Sequence, residues 1–180
     1  MKILLIGPQG SGKSTQGKLL SQDLKIPYIS TGDIFREKSL QDSEGGRKIK
    51  QILEVGQLVD DVTTRKLVEE RLRKPDVKNG YILDGYPRTS EQTQLFDSID
   101  FKFDLVINFD LPDEIAIERL MKRGRSDDTP EIIKTRIELY KLKTEALLNA
   151  LRGYGVVKNI SAEGSIDDVY KRLRETINDK

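Results

Sequence analysis

Residues 2–20 read KILLIGPQGSGKSTQGKLL, and this stretch carries the clearest structural signal in the chain. The apolar run at 3–6 predicts a buried strand, and the residues from Lys13 onward predict a helix. Three glycines between these elements let backbone N–H groups point inward without obstruction by a Cβ atom. The N-terminus of the helix directs its free donors and its positive dipole end to the same place. The sequence therefore predicts a strand–turn–helix unit that surrounds an anion.

The turn also satisfies the pattern G-x-x-x-x-G-K-[ST], with Gly7, Gly12, Lys13 and Ser14 at its defined positions. In this pattern the lysine reaches the terminal phosphates of a nucleotide, and a hydroxyl helps to hold Mg²⁺. A glycine-rich turn with a solvated lysine is the alternative, but the strand before it and the helix after it favour phosphate binding. The spacing does not distinguish the hydroxyl of Ser14 from that of Thr15. The residues predicted to bind the phosphates are Gly10, Ser11, Gly12, Lys13, Ser14 and Thr15.

The composition excludes several classes of chemistry. The 31 basic and 30 acidic side chains give a formal net charge of +1, which argues against binding of nucleic acid or membrane through bulk charge. The absence of cysteine and histidine excludes disulfides, thiolate chemistry, imidazole acid–base catalysis and most zinc sites. No apolar run reaches membrane-spanning length, and the start of the chain is not typical of a signal peptide. We therefore expect a cytoplasmic enzyme or binding domain with neither a nucleic-acid nor a membrane partner.

Short apolar runs alternate with longer amphipathic stretches along the chain. The predicted strands are 2–6, 28–30, 81–84, 105–109 and 155–160. The predicted helices lie around 13–25, 61–73, 90–98, 112–123, 130–152 and 165–178. Strands separated by connections of helix length predict a parallel sheet that is covered by helices on both faces. In such α/β folds ligands bind beyond the carboxyl ends of the strands.

Two segments interrupt this alternation. Residues 31–60 form a mostly helical excursion between strands, and residues 123–129 form a short charged loop between two helices. Each is expected to lie near the ligand-binding edge of the sheet, where it could fold over a ligand.

Further motifs follow in a characteristic order. They are STGDIFR (30–36), EVGQLVDD (54–61), LDGYPRTSEQ (83–92), ERLMKRGRSDD (118–128) and KTRIELY (134–140). Together with GPQGSGKSTQ they resemble the adenylate kinase family in its short-lid form, over nearly the whole chain. The resemblance implies an α/β P-loop NTPase fold, a three-layer sandwich with a five-stranded parallel sheet. It also implies one kinase domain over 1–180.

The implied division of that domain has three parts. The core would comprise 1–29, 60–122 and 130–180, the nucleoside-monophosphate-binding subdomain 30–59, and the short lid 123–129. The lid lacks the cysteine-bearing insertion of some relatives, so no structural zinc is expected. Asp60 stands where the family often has proline, which is expected to loosen the end of the subdomain.

The resemblance also implies an activity. It is reversible phosphoryl transfer from MgATP to AMP, giving two ADP, by a monomer that serves nucleotide homeostasis. The acceptor is a phosphate oxygen that is already ionised at neutral pH, so no general base is required. Positioning and charge neutralisation then carry the catalysis, which agrees with a chain that has no histidine.

Roles for individual residues follow from the matching motifs. The implied AMP-binding residues are Thr31, Arg36, Gln57, Leu58, Val59, Gly85, Tyr86, Pro87, Arg88, Gln92, Arg125 and Arg136. ATP would also contact Arg119, Arg123 and Gly164. The implied catalytic residues are Lys13, Arg88, Arg123, Arg125 and Arg136. Mg²⁺ would be held, largely through water, by Asp84 with Ser14 or Thr15, and Asp33 is a candidate helper.

Simpler interpretations stay open beside these roles. Arg119 and Arg123 lie four residues apart and could form a solvated helix face, and Asp84 could cap a turn. A UMP/CMP kinase on the same scaffold is one functional alternative. A regulator that binds nucleotide without transferring phosphate is another, although it would not need a second set of arginines. The chain has no N-K-x-D stretch, which disfavours a guanine-specific GTPase.

Overall fold

Five parallel strands in the order β2–β3–β1–β4–β5 form the centre of the protein. The computed structural model describes residues 1–55, 57, 59–93, 102–124 and 128–179, apart from the side chain of Glu145. The strands are β1 (Lys2–Ile6), β2 (Tyr28–Ser30), β3 (Tyr81–Asp84), β4 (Leu105–Asp110) and β5 (Val157–Ser161). The predicted α/β class and five-stranded parallel sheet are confirmed.

Seven α-helices accompany the strands within the described residues. They are α1 (Lys13–Leu24), α2 (Thr31–Ser39), α3 (Glu44–Glu54), α4 (Asp61–Leu72), α5 (Asp113–Arg123), α6 (Pro130–Leu151) and α7 (Ile166–Asn178). Of the helix predicted around 90–98, the described residues show a short 3₁₀ turn at Glu91–Thr93, and positions 94–98 lie outside them. No α-helix found among the described positions is both long and apolar enough to cross a bilayer.

Local sequence signals explain where the helices begin. The Thr129 hydroxyl accepts a hydrogen bond from the backbone N–H of Ile132 at 3.3 Å, and Pro130 occupies the first helical position of α6. Ser165 and Asp168 form a reciprocal capping box at the start of α7. Asp60 caps α4, because its carboxylate accepts from the backbone N–H of Thr63 at 2.9 Å.

The sheet separates two hydrophobic clusters. Ile3 and Leu5 of β1 belong to the cluster beneath α1, α5, α7 and the first half of α6, whereas Leu4 and Ile6 belong to the opposite cluster with α4 and the second half of α6. Successive residues of a strand point to opposite faces, so both faces of β1 are buried. This burial fixes the strand end from which the glycine-rich turn departs.

A third, smaller cluster lies within the helical excursion. Its buried members are Phe35 of α2, Ile49 of α3 and Val59. A separate cluster agrees with a subdomain over 30–59, but the predicted division into core, subdomain and lid stays a prediction. Of the predicted lid, positions 125–127 lie outside the described residues.

The strand register determines which turns become neighbours. Asp84 at the end of β3 is aligned with Leu5 of β1 and with Ser30 of β2. The turns after these three strands therefore begin at the same edge of the sheet, which is the edge predicted to bind the ligand.

Candidate active site

The glycine-rich turn between β1 and α1 has the backbone geometry that its sequence predicts. Gly7, Gly10 and Gly12 have φ angles of 147°, 84° and 83°. A Cβ atom on Gly7 would lie 2.7 Å from the carbonyl oxygen of Phe109, and one on Gly10 would lie 2.7 Å from that of Ala116. Glycine is required here both for its backbone conformation and because the turn lies against β4 and α5.

The Lys13 side chain folds back towards the glycine-rich turn and donates hydrogen bonds to it. Its Nζ donates to the carbonyl oxygens of Gly7 at 2.6 Å and Pro8 at 2.7 Å, and to Ser11 Oγ at 3.3 Å. Burial lowers the pKa of Lys13 to about 8, the Asp84 carboxylate opposes that shift, and the charges of Arg88 and Arg123 add to it. Two of the cations predicted to be catalytic, Arg88 and Arg123, thus lie close enough to Lys13 to influence its ionisation.

Asp84 is the acidic group of the site and is only 5% exposed. Its Oδ2 accepts hydrogen bonds from Ser14 Oγ at 3.1 Å and from the Tyr28 hydroxyl at 2.5 Å. Burial and the Asp84 charge both raise the pKa of Tyr28, which therefore stays a proton donor. Among the described residues the hydroxyl of Ser14, and not that of Thr15, donates to Asp84, although both residues are exposed. Sequence reasoning missed Tyr28, since nothing in its local pattern points to Asp84.

The Ser14–Asp84 pair fits a Mg²⁺ ion that is held with a nucleotide. Within the described part of the chain no group of three or more acidic, histidine or cysteine side chains could form a protein cage for a metal. Mg²⁺ commonly uses one or two protein groups together with water and phosphate oxygens, and one hydroxyl beside one carboxylate matches that need. The candidate helper Asp33 instead forms an ion pair with Arg36.

Arg88 lies on the turn after β3. Its Nε donates to the carbonyl oxygen of Gly85 at 2.9 Å, and its backbone N–H donates to Gln92 Oε1 at 2.7 Å. Burial lowers the pKa of Arg88, and the charge of Arg136 lowers it further against the opposing effect of Asp84. Gln92 Nε2 also donates to Asp61 Oδ1 at 2.5 Å, so its carboxamide is held at both ends.

The rest of that turn packs tightly against α2. Gly85 has a φ angle of 88°, and a Cβ atom there would collide with the hydroxyl of the buried Thr31. The Tyr86 side chain belongs to the protein core, where its hydroxyl donates to the carbonyl oxygen of Gln92 at 3.0 Å. Pro87 is also buried. These two residues therefore present mainly their backbone to the site.

Other residues predicted to bind AMP belong to the helical excursion and differ in exposure. Arg36 and Asp33 form an ion pair on α2 with side chains 51% and 55% exposed. Gln57 is exposed, and Val59 is buried in the small cluster of the excursion. Leu58 lies outside the described residues.

Arg123 and Arg136 meet at a buried carboxylate. Arg123 binds Asp128 with two hydrogen bonds, Nε to Oδ2 at 2.7 Å and Nη2 to Oδ1 at 2.6 Å. Arg136 Nη1 lies 3.7 Å from the same Oδ1 and 3.4 Å from Gln9 Oε1. The Asp128 side chain is fully buried. In the sequence it was recognisable only as one of the acidic residues of this loop. Arg125 lies outside the described residues.

Arg119 of α5 contacts both the glycine-rich turn and the segment that follows β5. Its guanidinium donates to the carbonyl oxygens of Ala162 at 3.0 Å, Gly164 at 3.1 Å and Gly10 at 3.5 Å. Gly164, with a φ angle of 95°, belongs to the loop between β5 and α7. The structure thus brings the two residues predicted to flank the ATP base next to the phosphate-binding turn.

The fold and site define a P-loop nucleotide-binding α/β protein in which a second set of cations lies beside the phosphate-binding turn. The sequence profile of the family described as Adenylate kinase matches residues 5–155. The chain belongs to the adenylate kinase family and is an enzyme of that family.

Individual members of this family are similar to the chain over almost its entire length. The protein is 41% identical over 173 residues to the adenylate kinase of Corynebacterium urealyticum, with 94% of each chain covered. It is 40% identical over 176 residues to that of Nocardia farcinica, with 96% of each chain covered. It is also 40% identical over 181 residues to that of Bifidobacterium longum, which covers 96% of this chain and 97% of that protein.

Proposed function

We propose that this protein catalyses the reversible transfer of a phosphoryl group from MgATP to AMP, forming two ADP. The observation that carries the proposal is the convergence of Lys13, Arg88, Arg123 and Arg136 at the carboxyl ends of the strands. The charges of Arg88 and Arg123 lower the pKa of Lys13, and that of Arg136 lowers the pKa of Arg88. So much positive charge suits the phosphates of two nucleotides better than those of one.

The donor half of the site would bind ATP. The backbone of the glycine-rich turn and the N-terminus of α1 surround the phosphates, and Lys13 exchanges its carbonyl partners for phosphate oxygens. Arg119 and the backbone at Gly164 flank the base, where a planar guanidinium packs well against an aromatic ring. The hydroxyl of Ser14 would help to hold the metal together with Asp84, beside which it lies.

The acceptor half would bind AMP. Arg36 and Arg88 contact its phosphate, and Gln92 hydrogen-bonds the edge of its base. Thr31 and the backbone of 85–87 form the wall between the phosphate and the sheet, because Gly85 lies directly against Thr31. The remaining residues of this proposed site are Gln57, Leu58 and Val59, which line the base, and Arg125, which approaches from the lid.

Phosphoryl transfer in this site needs no proton acceptor from the protein. Arg88, Arg123, Arg125 and Arg136 reduce the repulsion between the two nucleotides and bind the oxygens of the transferred group, for which bidentate guanidinium groups are well suited. Mg²⁺ would neutralise charge on the ATP phosphates when bound. Closure of the lid would exclude water, so that ATP is not hydrolysed in the absence of AMP.

Three further properties belong to the proposal. Mg²⁺ accompanies ATP, with Ser14 and Asp84 as its nearest protein groups. The active form is a monomer, because every role in the proposed site is assigned to a residue of a single chain. The enzyme acts in the cytoplasm, where both nucleotides occur.

The test is a coupled assay of ADP formation with AMP, UMP, CMP and GMP as acceptors at constant MgATP. We expect kcat/KM for AMP to exceed that for every other acceptor by at least about tenfold. Activity with UMP and CMP alone would assign the chain to the other kinase class. Binding of MgATP without transfer to any acceptor would identify a nucleotide-binding regulator.

A further inference from the structure

Tyr28 holds the acidic group of the site from a neighbouring strand. It is the first residue of β2 and is aligned with Ile82 of β3, two residues before Asp84. Its hydroxyl donates to Asp84 Oδ2 at 2.5 Å, the oxygen that also accepts from Ser14 Oγ. No hydrogen bond from another described residue reaches Oδ1. Both of the hydrogen bonds that restrain the carboxylate therefore act through the same oxygen, Oδ2.

The ring of Tyr28 has room to reach Asp84 only because α1 has a glycine beside it. A Cβ atom on Gly17 would lie 2.5 Å from Cε2 and 2.8 Å from Cδ2 of this ring. Glycine is an unfavourable residue in the interior of a helix, and Gly17 is buried in the middle of α1. The close approach of the ring accounts for a glycine at this position.

We propose that Tyr28 is a positioning residue for the metal–nucleotide site, which it serves by orienting the Asp84 carboxylate, with Gly17 providing the space for its ring. The inference rests on the proposed binding of MgATP. Without the phenol, Ser14 alone restrains Oδ2, and Ser14 is itself the hydroxyl that faces the metal. Asp84 would then rotate more freely, and its second oxygen would be less often directed towards the hydrated ion. Groups that orient a metal-binding side chain in this way commonly change metal affinity by 10- to 100-fold.

The first test compares Tyr28→Phe with the unchanged protein. The enzyme is saturated with a non-hydrolysable β,γ-imido analogue of ATP and titrated with Mg²⁺ in a calorimeter. We expect Mg²⁺ affinity to fall by about tenfold, while affinity for the analogue measured without Mg²⁺ stays within about twofold. Unchanged Mg²⁺ affinity would overturn the proposal. An equal loss of analogue affinity without Mg²⁺ would also overturn it, because Tyr28 would then act on the phosphate-binding turn.

The matched control is Tyr170→Phe. The Tyr170 hydroxyl donates to Asp23 Oδ2 and joins α7 to α1 at the surface, away from the site. Loss of the Tyr170 hydroxyl removes the same kind of bond at an exposed position, so the melting temperature should fall by less than the about 2–4 °C expected for Tyr28→Phe. Only Tyr28→Phe should alter Mg²⁺ affinity. A similar change in the control would show that the effect reflects general loosening of the fold and would overturn the proposal.

A second variant tests the role of Gly17. Gly17→Ala should displace the ring and weaken Mg²⁺ binding as Tyr28→Phe does, and the double variant should be no weaker than Tyr28→Phe alone. Additive losses would overturn the assignment of Gly17. These titrations contain no AMP, so they are independent of phosphoryl transfer. If MgATP binds but no acceptor is phosphorylated, the proposed function fails while the role of Tyr28 can still be measured.

Discussion

In the donor half of the site, the acidic group Asp84 is held by residues far away in the chain, whereas in the acceptor half Arg36 is held by Asp33, three residues away. Asp84 is bound by Ser14, 70 positions away, and by Tyr28, 56 positions away. The Arg36–Asp33 pair is half exposed and lies within one helix. The position of Asp84 therefore depends on packing between distant segments, whereas that of Arg36 depends on a contact within one helix.

The cores beneath the two halves differ in the same way. The donor half rests on the two large clusters that the sheet separates, while the excursion around Arg36 has three buried hydrophobic members of its own. Few buried contacts mean that local rearrangement costs little free energy. We infer that the donor half is preorganised and that the acceptor half adjusts when AMP binds. Four substitutions test this difference.

The largest effect is expected from Lys13→Met. It removes the charge proposed to bind the terminal phosphates, and loss of one such electrostatic contact commonly lowers kcat by 10²- to 10³-fold, so we expect about 10³-fold in the coupled assay. Lys18→Met is the control, because Lys18 is exposed on the same helix. Activity above a tenth of normal in Lys13→Met would contradict the assigned role.

The next largest effect is expected from Asp128→Ala. This change leaves Arg123 and Arg136 without the buried carboxylate they share, and removal of one member of a buried ion pair typically costs about 3 kcal/mol of unfolding free energy. Urea denaturation measures the loss. In the control, Asp42→Ala, the carboxylate is also paired with an arginine five positions away, but it is 97% exposed. Equal stability of the two variants would show that burial of Asp128 does not matter.

Arg36→Ala examines the acceptor half. We expect kcat/KM for AMP to fall by about 100-fold, because a charged contact with the AMP phosphate is lost. KM for ATP and the melting temperature should hardly change, since an exposed ion pair contributes little to stability. Arg47→Ala, at another exposed pair in the excursion, should leave all three quantities unchanged. A large drop in melting temperature for Arg36→Ala would abolish the distinction between the two halves.

The smallest effect is expected at the cap of α4. Asp60→Ala should lower the unfolding free energy by about 1 kcal/mol, and Asp60→Asn, which can still cap, should lower it less. Hydrogen bonds from Thr63 lower the pKa of Asp60, so its contribution is complete above the ordinary carboxyl pKa and is lost as pH falls through the lowered value. Denaturation curves at pH 7 and near pH 3 measure this. Identical pH dependence in the unchanged protein and Asp60→Asn would argue against the cap.

Much of the phosphate-binding turn could be predicted from the sequence, because its signals are local. The turn at 7–14 combines a strand, glycines and a helix start within one short stretch, and the structure has all three there. The sequence did not distinguish Ser14 from Thr15. Which hydroxyl meets Asp84 depends on how α1 lies against β3, and that orientation results from packing between distant segments.

Two residues of the site were not predicted. Tyr28 looked like an ordinary strand residue, and Asp128 looked like one of several acidic loop residues. Their importance lies in what they contact: Tyr28 reaches across to Asp84, and Asp128 joins Arg123 of α5 to Arg136 of α6. Neither partnership leaves a periodic or spacing signal in the chain.

The sequence by itself determined the α/β class, the order of strands and helices, and the phosphate-binding turn, since hydrophobic periodicity, caps and glycine act over a few residues. Only the tertiary structure decided which side chains meet at the carboxyl ends of the strands. The register of β1, β2 and β3 brings Leu5, Ser30 and Asp84 into line, and contacts between strands depend on that alignment. Distances between residues 50 or more positions apart are set by packing of the sheet and helices, which no single stretch encodes.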